Sequence, residues 1–224
     1  MGACVQGAEL IVLATPSHAV RNIANTLAQH IRPEQVVLNI AKGLEPDTQK
    51  RLSEVIRDEI PGVRLAVMSG PSHAEEVGRG MATANVVASE DEEIPLFIQD
   101  VFMCPFFRVY TSDDLLGVEL GGAIKNVIAL AAGVAVGLGC GDNTSAALMT
   151  RGIAEIARLG VAMGAQAETF AGLTGIGDLI VTCMSRHSRN RRAGILIGQG
   201  KTLKEATKEA VSSDEAFNQY IRLQ

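Results

Sequence analysis

Lys125 and Asn126 lie inside Gly117–Gly139, a run in which Glu119 is the one other charged residue. On a helix, the side chains three and four positions from Lys125 are Gly121, Gly122, Ile128 and Ala129. None of them can pair with an ammonium. Burying an unpaired charge costs several kcal/mol, and desolvation lowers a lysine's proton affinity toward neutral pH. That is the range in which a lysine transfers protons. The competing reading is a lysine that snorkels to water or meets an acid distant in sequence.

Two other clusters carry chemistry. Ser188-Arg189-Asn190-Arg191-Arg192 falls at the predicted start of a helix. Free backbone N–H groups there favour an anion, and arginine adds a planar fork that suits phosphate. Arg189 and Asn190 sit at the turn, whereas Arg191 and Arg192 also read as a solvated face. Asp178 lies in Leu173-Thr-Gly-Ile-Gly-Asp-Leu179, with Thr182 one helical turn later. Its carboxylate can accept a substrate hydroxyl, pair with Lys125, or simply cap a helix.

These residues need a frame. Short apolar runs at Leu10–Ala14, Val36–Ile40, Leu65–Met68, Asn85–Ala88 and Arg108–Tyr110 read as strands. Helical patterns at Ala19–His30, Asp47–Glu59, Ala74–Gly78 and Ile94–Phe102 separate them. Such alternation predicts βαβ units and a mostly parallel sheet. From about Ser112 long helical periods take over: Asp113–Gly137, Thr144–Met163, Ala167–Met184, Asn190–Gly198 and Leu203–Val211. Asn143 or Thr144 is the expected cap of the second, and Arg151 with Glu155 an i,i+4 pair on it. The fold class is therefore α/β plus all-α, divided into residues 1–111 and 112–224. Three loops follow the first three strands: Ala14-Thr-Pro-Ser-His18, Ala41-Lys-Gly-Leu-Glu45 and Ser69-Gly-Pro-Ser-His-Ala74. Ligands bind at the carboxyl ends of parallel strands, where these loops converge. Lys42 would emerge there, with Gly70 admitting a close backbone approach and Ser72 a hydroxyl. Glycine, proline and serine are also ordinary turn residues.

Composition excludes several classes. A net charge of −5 argues against nonspecific nucleic-acid binding. The four cysteines, at 4, 104, 140 and 183, and the four histidines, at 18, 30, 73 and 187, show no metal-ligand spacing. Scattered thiols suit a reducing, cytoplasmic compartment. Val127–Gly139 is too short to span a bilayer, and Lys125 interrupts any longer window. No signal peptide is expected over residues 1–8.

Lys42-Gly-Leu-Glu, Gly70-Pro-Ser, Gly121-Gly-Ala-Ile-Lys-Asn, Gly141-Asp-Asn, Gly177-Asp-Leu and Ser188-Arg-Asn-Arg-Arg occur in this order between about residues 8 and 210. Taken together they closely resemble bacterial NAD(P)-dependent sn-glycerol-3-phosphate dehydrogenase. The resemblance implies a partial Rossmann-type sheet followed by a helical substrate domain like the C-terminal domain of 6-phosphogluconate dehydrogenase. It implies interconversion of dihydroxyacetone phosphate and glycerol 3-phosphate with NAD or NADP, for phospholipid synthesis. By this likeness Lys125 is the catalytic acid/base. Lys42, Gly70, Ser72, Lys125, Asn126, Asp178, Ser188, Arg189 and Asn190 contact substrate, and Lys42, Ala74 and Arg189 contact the cofactor. The implied partner is a phosphorylated three-carbon ketone or alcohol, with no nucleic acid, no membrane insertion and a homodimer left open.

The sequence departs from that pattern at both ends. A dinucleotide fold is expected to begin with a strand and a Gly-x-Gly-x-x-Gly turn, and no such turn occurs in these 224 residues. The resemblance also leads one to expect a Val-Glu-Gly segment after Lys208-Glu-Ala, where the chain instead reads Val211-Ser-Ser-Asp. Both ends thus read as truncated. Two alternatives follow: a noncatalytic remnant unable to hold the cofactor, or a related two-domain hydroxyacid dehydrogenase. The 224-residue chain alone is expected to bind NAD(P)H poorly and to turn over little. Full-rate oxidation of NADPH with dihydroxyacetone phosphate would overturn this.

Overall fold

The computed structural model describes residues 1–210. Five strands form one sheet in the order β1 (Leu10–Leu13), β2 (Val36–Asn39), β3 (Arg64–Ser69), β4 (Thr83–Ser89) and β5 (Phe107–Ser112). The first three run parallel, in the register Leu10↔Val36 and Val36↔Arg64. Helices α2 (Val20–Ala28) and α3 (Leu52–Glu59) connect them, and the four-residue α1 (Gly2–Val5) precedes them. Strand β2 is buried along its whole length, which is why Val36-Val-Leu reads as a continuous apolar run. Val37 faces a core with Val20, Leu27, Val55 and Ile56. Val36 and Leu38 face the opposite core, with Ile94 and Ile98 of α5 (Glu93–Phe102).

The sheet is not uniformly parallel. Strand β4 pairs antiparallel with β3, through Ala66↔Ser89, and β5 runs parallel to β4. A helix of only four residues, α4 (Ala74–Val77), lies between β3 and β4. It turns the chain at the ligand edge instead of carrying it back across the sheet.

Helix α6 (Leu115–Gly137) leaves β5, and Asp114 Oδ1 caps it by accepting from Gly117 N at 2.8 Å. Its Leu115 and Val118 pack on Val67 and Ala88 of the sheet. Around it stand α7 (Asp142–Ala162), α8 (Ala167–Ala171), α9 (Asp178–Met184) and α10 (Arg189–Gly198), with further helical turns over 203–210. Among the described residues α6 alone is long and apolar enough to cross a membrane, so the apolar segment is longer than Val127–Gly139. Here Leu120, Ala129 and Ala132 are buried against the surrounding helices.

Several expected boundaries shift. The helix expected over Asp47–Glu59 starts at Leu52, because Leu44 bridges to Arg51 and ties residues 45–50 into a turn. Helix α7 begins at Asp142 after Gly141, without a side-chain cap from Asn143 or Thr144. The Arg151–Glu155 pair is present at 3.1 Å. The helix expected over Ala167–Met184 is broken by a π-helical turn at Leu173–Gly177. Val211, the last residue of the expected final helix, lies outside the described residues.

The α6–α10 crossing uses glycine against glycine. Gly133 and Gly137 face Gly194 and Gly198, and a methyl on any of the four would strike backbone carbonyl oxygen of the other helix. This contact sets α10, and so its first residues, against α6. Gly194→Ala, which would collide with the Leu130 carbonyl, is expected to lower stability by about 1–3 kcal/mol, read from urea unfolding.

Candidate active site

The first three strand ends, the start of α4, α6, α9 and the start of α10 enclose a cavity of about 750 Å³. Lys42, Ser72, Ala74, Lys125, Asn126, Asp178, Ser188, Arg189 and Asn190 all line it. Gly70 stands behind it and contributes its carbonyl oxygen, which accepts from Lys42 Nζ at 2.6 Å. At φ +145°, Gly70 adopts a backbone conformation that other residues rarely take, and a Cβ there would press on Asn85.

Asp178 joins the two lysines. Its Oδ1 pairs with Lys125 Nζ, and its Oδ2 with Lys42 Nζ at 2.8 Å. Lys125 also donates to Thr182 Oγ1 at 2.8 Å, and that hydroxyl donates in turn to the Asp178 carbonyl at 2.6 Å. Lys125 is 5% exposed and Asp178 1%, so a buried ion pair is joined here by a second, partly exposed cation, Lys42. The Lys125 pKa is pushed down to about 8, by burial first and by the Lys42 ammonium second, against the pull of Asp178. Lys125 thus has no carboxylate within one turn of it on α6 but is paired with one from α9. Thr182 belongs to the cluster, and its i+4 spacing from Asp178 was the visible signal.

At the other wall Ser188 N-caps α10, its Oγ accepting from Arg191 N at 3.2 Å. Arg189 and Asn190 are therefore the first two residues of α10. Nothing in the chemical spacing singled out His73 and His187, yet both line the cavity, with ring centroids 6.1 Å apart. Burial holds His73 below the ordinary histidine range; Glu75 opposes this, while Lys125 and Lys42 reinforce it. Thr15 Oγ1, at the end of the first strand, is buried and has no hydrogen-bond partner. The described residues contain no group of three or more His, Cys, Asp or Glu side chains able to hold a metal.

A parallel-dominated sheet feeds a helical layer, with lysines and a carboxylate at the strand-end cavity between them, where α/β sheets bind ligands. The profile described as "NAD-dependent glycerol-3-phosphate dehydrogenase N-terminus" matches residues 1–94, and its C-terminus counterpart residues 114–220. Glycerol-3-phosphate dehydrogenase [NAD(P)+] of Fusobacterium nucleatum is 59% identical over 207 residues, covering 92% of this chain and 62% of the relative. That of Moorella thermoacetica is 64% identical over 204 residues, covering 91% and 60%. The crystal structure of glycerol-3-phosphate dehydrogenase from Coxiella burnetii superposes with a TM-score of 0.88 at 35% identity, covering 99% of this chain and 71% of that one. The chain belongs to the NAD-dependent glycerol-3-phosphate dehydrogenase family. It spans 60% of the length of the Moorella relative and 62% of the Fusobacterium one.

The depressed Lys125 pKa gives a stability test. The folded pKa is about 8, below the ordinary lysine value of 10.5. Between these values the unfolded chain binds more protons, so the lysine's contribution to stability rises with pH. Its desolvation cost is fully present below pH 8 and is relieved as pH rises toward 10.5. Relative to Lys125→Met, the native chain is expected to gain up to about 3 kcal/mol over that window, measured by denaturant unfolding at each pH. A flat difference would remove the buried-cation assignment.

Proposed function

We propose that the protein interconverts dihydroxyacetone phosphate and sn-glycerol 3-phosphate with NAD or NADP, as a soluble cytoplasmic enzyme supplying glycerophospholipid synthesis. The observation that carries this reading is the buried Lys125–Asp178 pair with Lys42 on its other oxygen, in one cavity with the arginine-bearing start of α10. The described residues suit the nicotinamide end of the cofactor. Thr15 offers an orphaned hydroxyl at the strand end, and Lys42, Ala74 and Arg189 border the same space. When bound, the dinucleotide supplies the hydride that adds to the ketone carbon.

The chain's own groups do the rest. Two ammonium groups facing one carboxylate leave the cluster with a net positive charge. Negative charge developing on the reacting oxygen is stabilised there. At neutral pH Lys125 is mostly protonated and gives its proton to that oxygen. Near its pKa of about 8 it has a free-base fraction that accepts the alcohol proton in the reverse direction. Asp178 holds the Lys125 amine in place, and Lys42 adds charge from the strand end. Arg189 supplies a fork for phosphate, with Asn190 and the backbone N–H groups of the helix start beside it. The Ser188 hydroxyl accepts from Arg191 N and keeps its own proton to donate. An acidic chain with this cavity suits a small anionic substrate rather than a nucleic acid.

The test is NADPH oxidation driven by dihydroxyacetone phosphate, in a protein extended to the length of its curated relatives. Lys125→Ala is expected to lower kcat by about 10²- to 10⁴-fold with little change in cofactor affinity. Arg189→Ala is expected to raise KM for the phosphorylated ketone and to leave an unphosphorylated ketone unaffected. Unchanged kcat in the first variant or unchanged KM in the second would overturn the assignment concerned.

A further inference from the structure

The Lys42-Gly-Leu-Glu45 motif ends in a carboxylate that the proposed chemistry does not use. Glu45 is buried, 8% exposed, although it belongs to a surface loop. Arg21, on α2, grips it with two nitrogens: Nε to Oε1 at 2.6 Å and Nη2 to Oε2 at 2.8 Å. The same guanidinium reaches Glu59 at 2.7 Å and Asp58 at 3.2 Å, at the end of α3. Thr48 Oγ1 donates to Glu45 at 2.5 Å, and Lys50 takes Asp58 at 2.7 Å. The guanidinium holds the Glu45 carboxyl down at about 2. Gly43 and Leu44 alone join this anchor to Lys42, and a side chain at position 43 would meet Ser17 at 3.2 Å. The loop that delivers Lys42 is thus clamped at its far end and pressed against the first strand-end loop.

We propose that Arg21 and Glu45 are positioning residues: their bidentate pair fixes the 41–45 loop so that the Lys42 ammonium stands on Asp178, beside Lys125. They touch neither the cavity nor the reacting atoms and act through Lys42 alone. The inference rests on Lys125 being the proton-transfer group. The groups around the Lys125 amine are Lys42 from the loop, Asp178, Thr182 and Cys183 from α9, and His73 from the start of α4. Arg189 and His187 border the same cavity. Of these, Lys42 is the cation whose place depends on Glu45. Loosening the clamp withdraws a positive charge from Lys125 and frees Asp178 to pair with it more fully, and both changes raise its proton affinity.

The experiment is an NMR titration of ¹³Cε-labelled lysines in the 224-residue chain, which needs neither turnover nor cofactor. Lys125→Met identifies the Lys125 resonance, whose midpoint is expected near pH 8. In Glu45→Gln, and in Arg21→Lys as a milder variant that keeps the charge but not the fork, that midpoint is expected to rise by about half a pH unit or more. Lys42→Met is expected to raise it as well. Adding Glu45→Gln to Lys42→Met is expected to do nothing further, because both act through one ammonium. An unmoved midpoint in the single variants, or an additive shift in the double variant, overturns the proposal. So does loss of the folded state in both Glu45→Gln and Arg21→Lys, since the pair would then hold the fold and not the loop. A native chain with no lysine titrating below the ordinary range refutes the reading of Lys125 itself, which is a separate failure.

Discussion

One carboxylate between two ammonium groups is the interaction on which the site turns. Asp178 is almost fully buried, and so is Lys125. Neither would be tolerated alone, since an unpaired charge at such depth costs more than the fold can offset. Together with Lys42 they form a self-supporting cluster drawn from three places: a strand end, the middle of α6 and the first turn of α9. The packing that brings these pieces together is correspondingly tight. Gly121 lies against the Thr174 backbone, and Gly122 against Ser69 and the Lys42 side chain. Side chains at those positions would hold α6 off both neighbours.

A second buried acid secures the same helix from below. Glu119 accepts from Ser53 N at 2.8 Å, Ser53 Oγ at 2.6 Å and Arg51 at 3.2 Å. Burial raises its pKa, against the opposing pull of Ser53 and Arg51. Glu119 and Lys125 are six positions apart, about 9 Å of helix rise. The charged pair that interrupts an otherwise apolar helix therefore consists of two fasteners. One grips the start of α3, and the other faces the cavity.

Much of this was legible in the sequence. Lys125 stood out because nothing within one helical turn of it carries a negative charge, and the three similar strand-end loops marked an edge where ligands gather. The layer change near Ser112 showed as a switch in hydrophobic period. What stayed hidden depends on pairings between distant segments. The antiparallel β3–β4 joint is invisible because both parallel and antiparallel buried strands read as apolar runs. The break at Leu173–Gly177 lies where α6 presses in: a methyl on Gly121 would strike the Thr174 carbonyl, and a linear pattern reports no such contact. The Gly133/Gly137 and Gly194/Gly198 spacings are plain in the sequence, but each needs the other helix to acquire meaning. Arg21 is the clearest omission. It is an unremarkable helix residue until its carboxylate partners, more than twenty positions away, are brought beside it.

The partner that steadies Lys42 from the sheet side is the peptide oxygen of residue 70. Every amino acid has that oxygen, so no exchange of side chains can delete the acceptor. Only a change in the local path of the chain can turn it away. The mutational vulnerability of this contact is therefore transferred from chemistry to shape. A single added methyl at position 70 would do what replacing a polar partner does elsewhere, and drift in neighbouring side chains would leave the anchor intact.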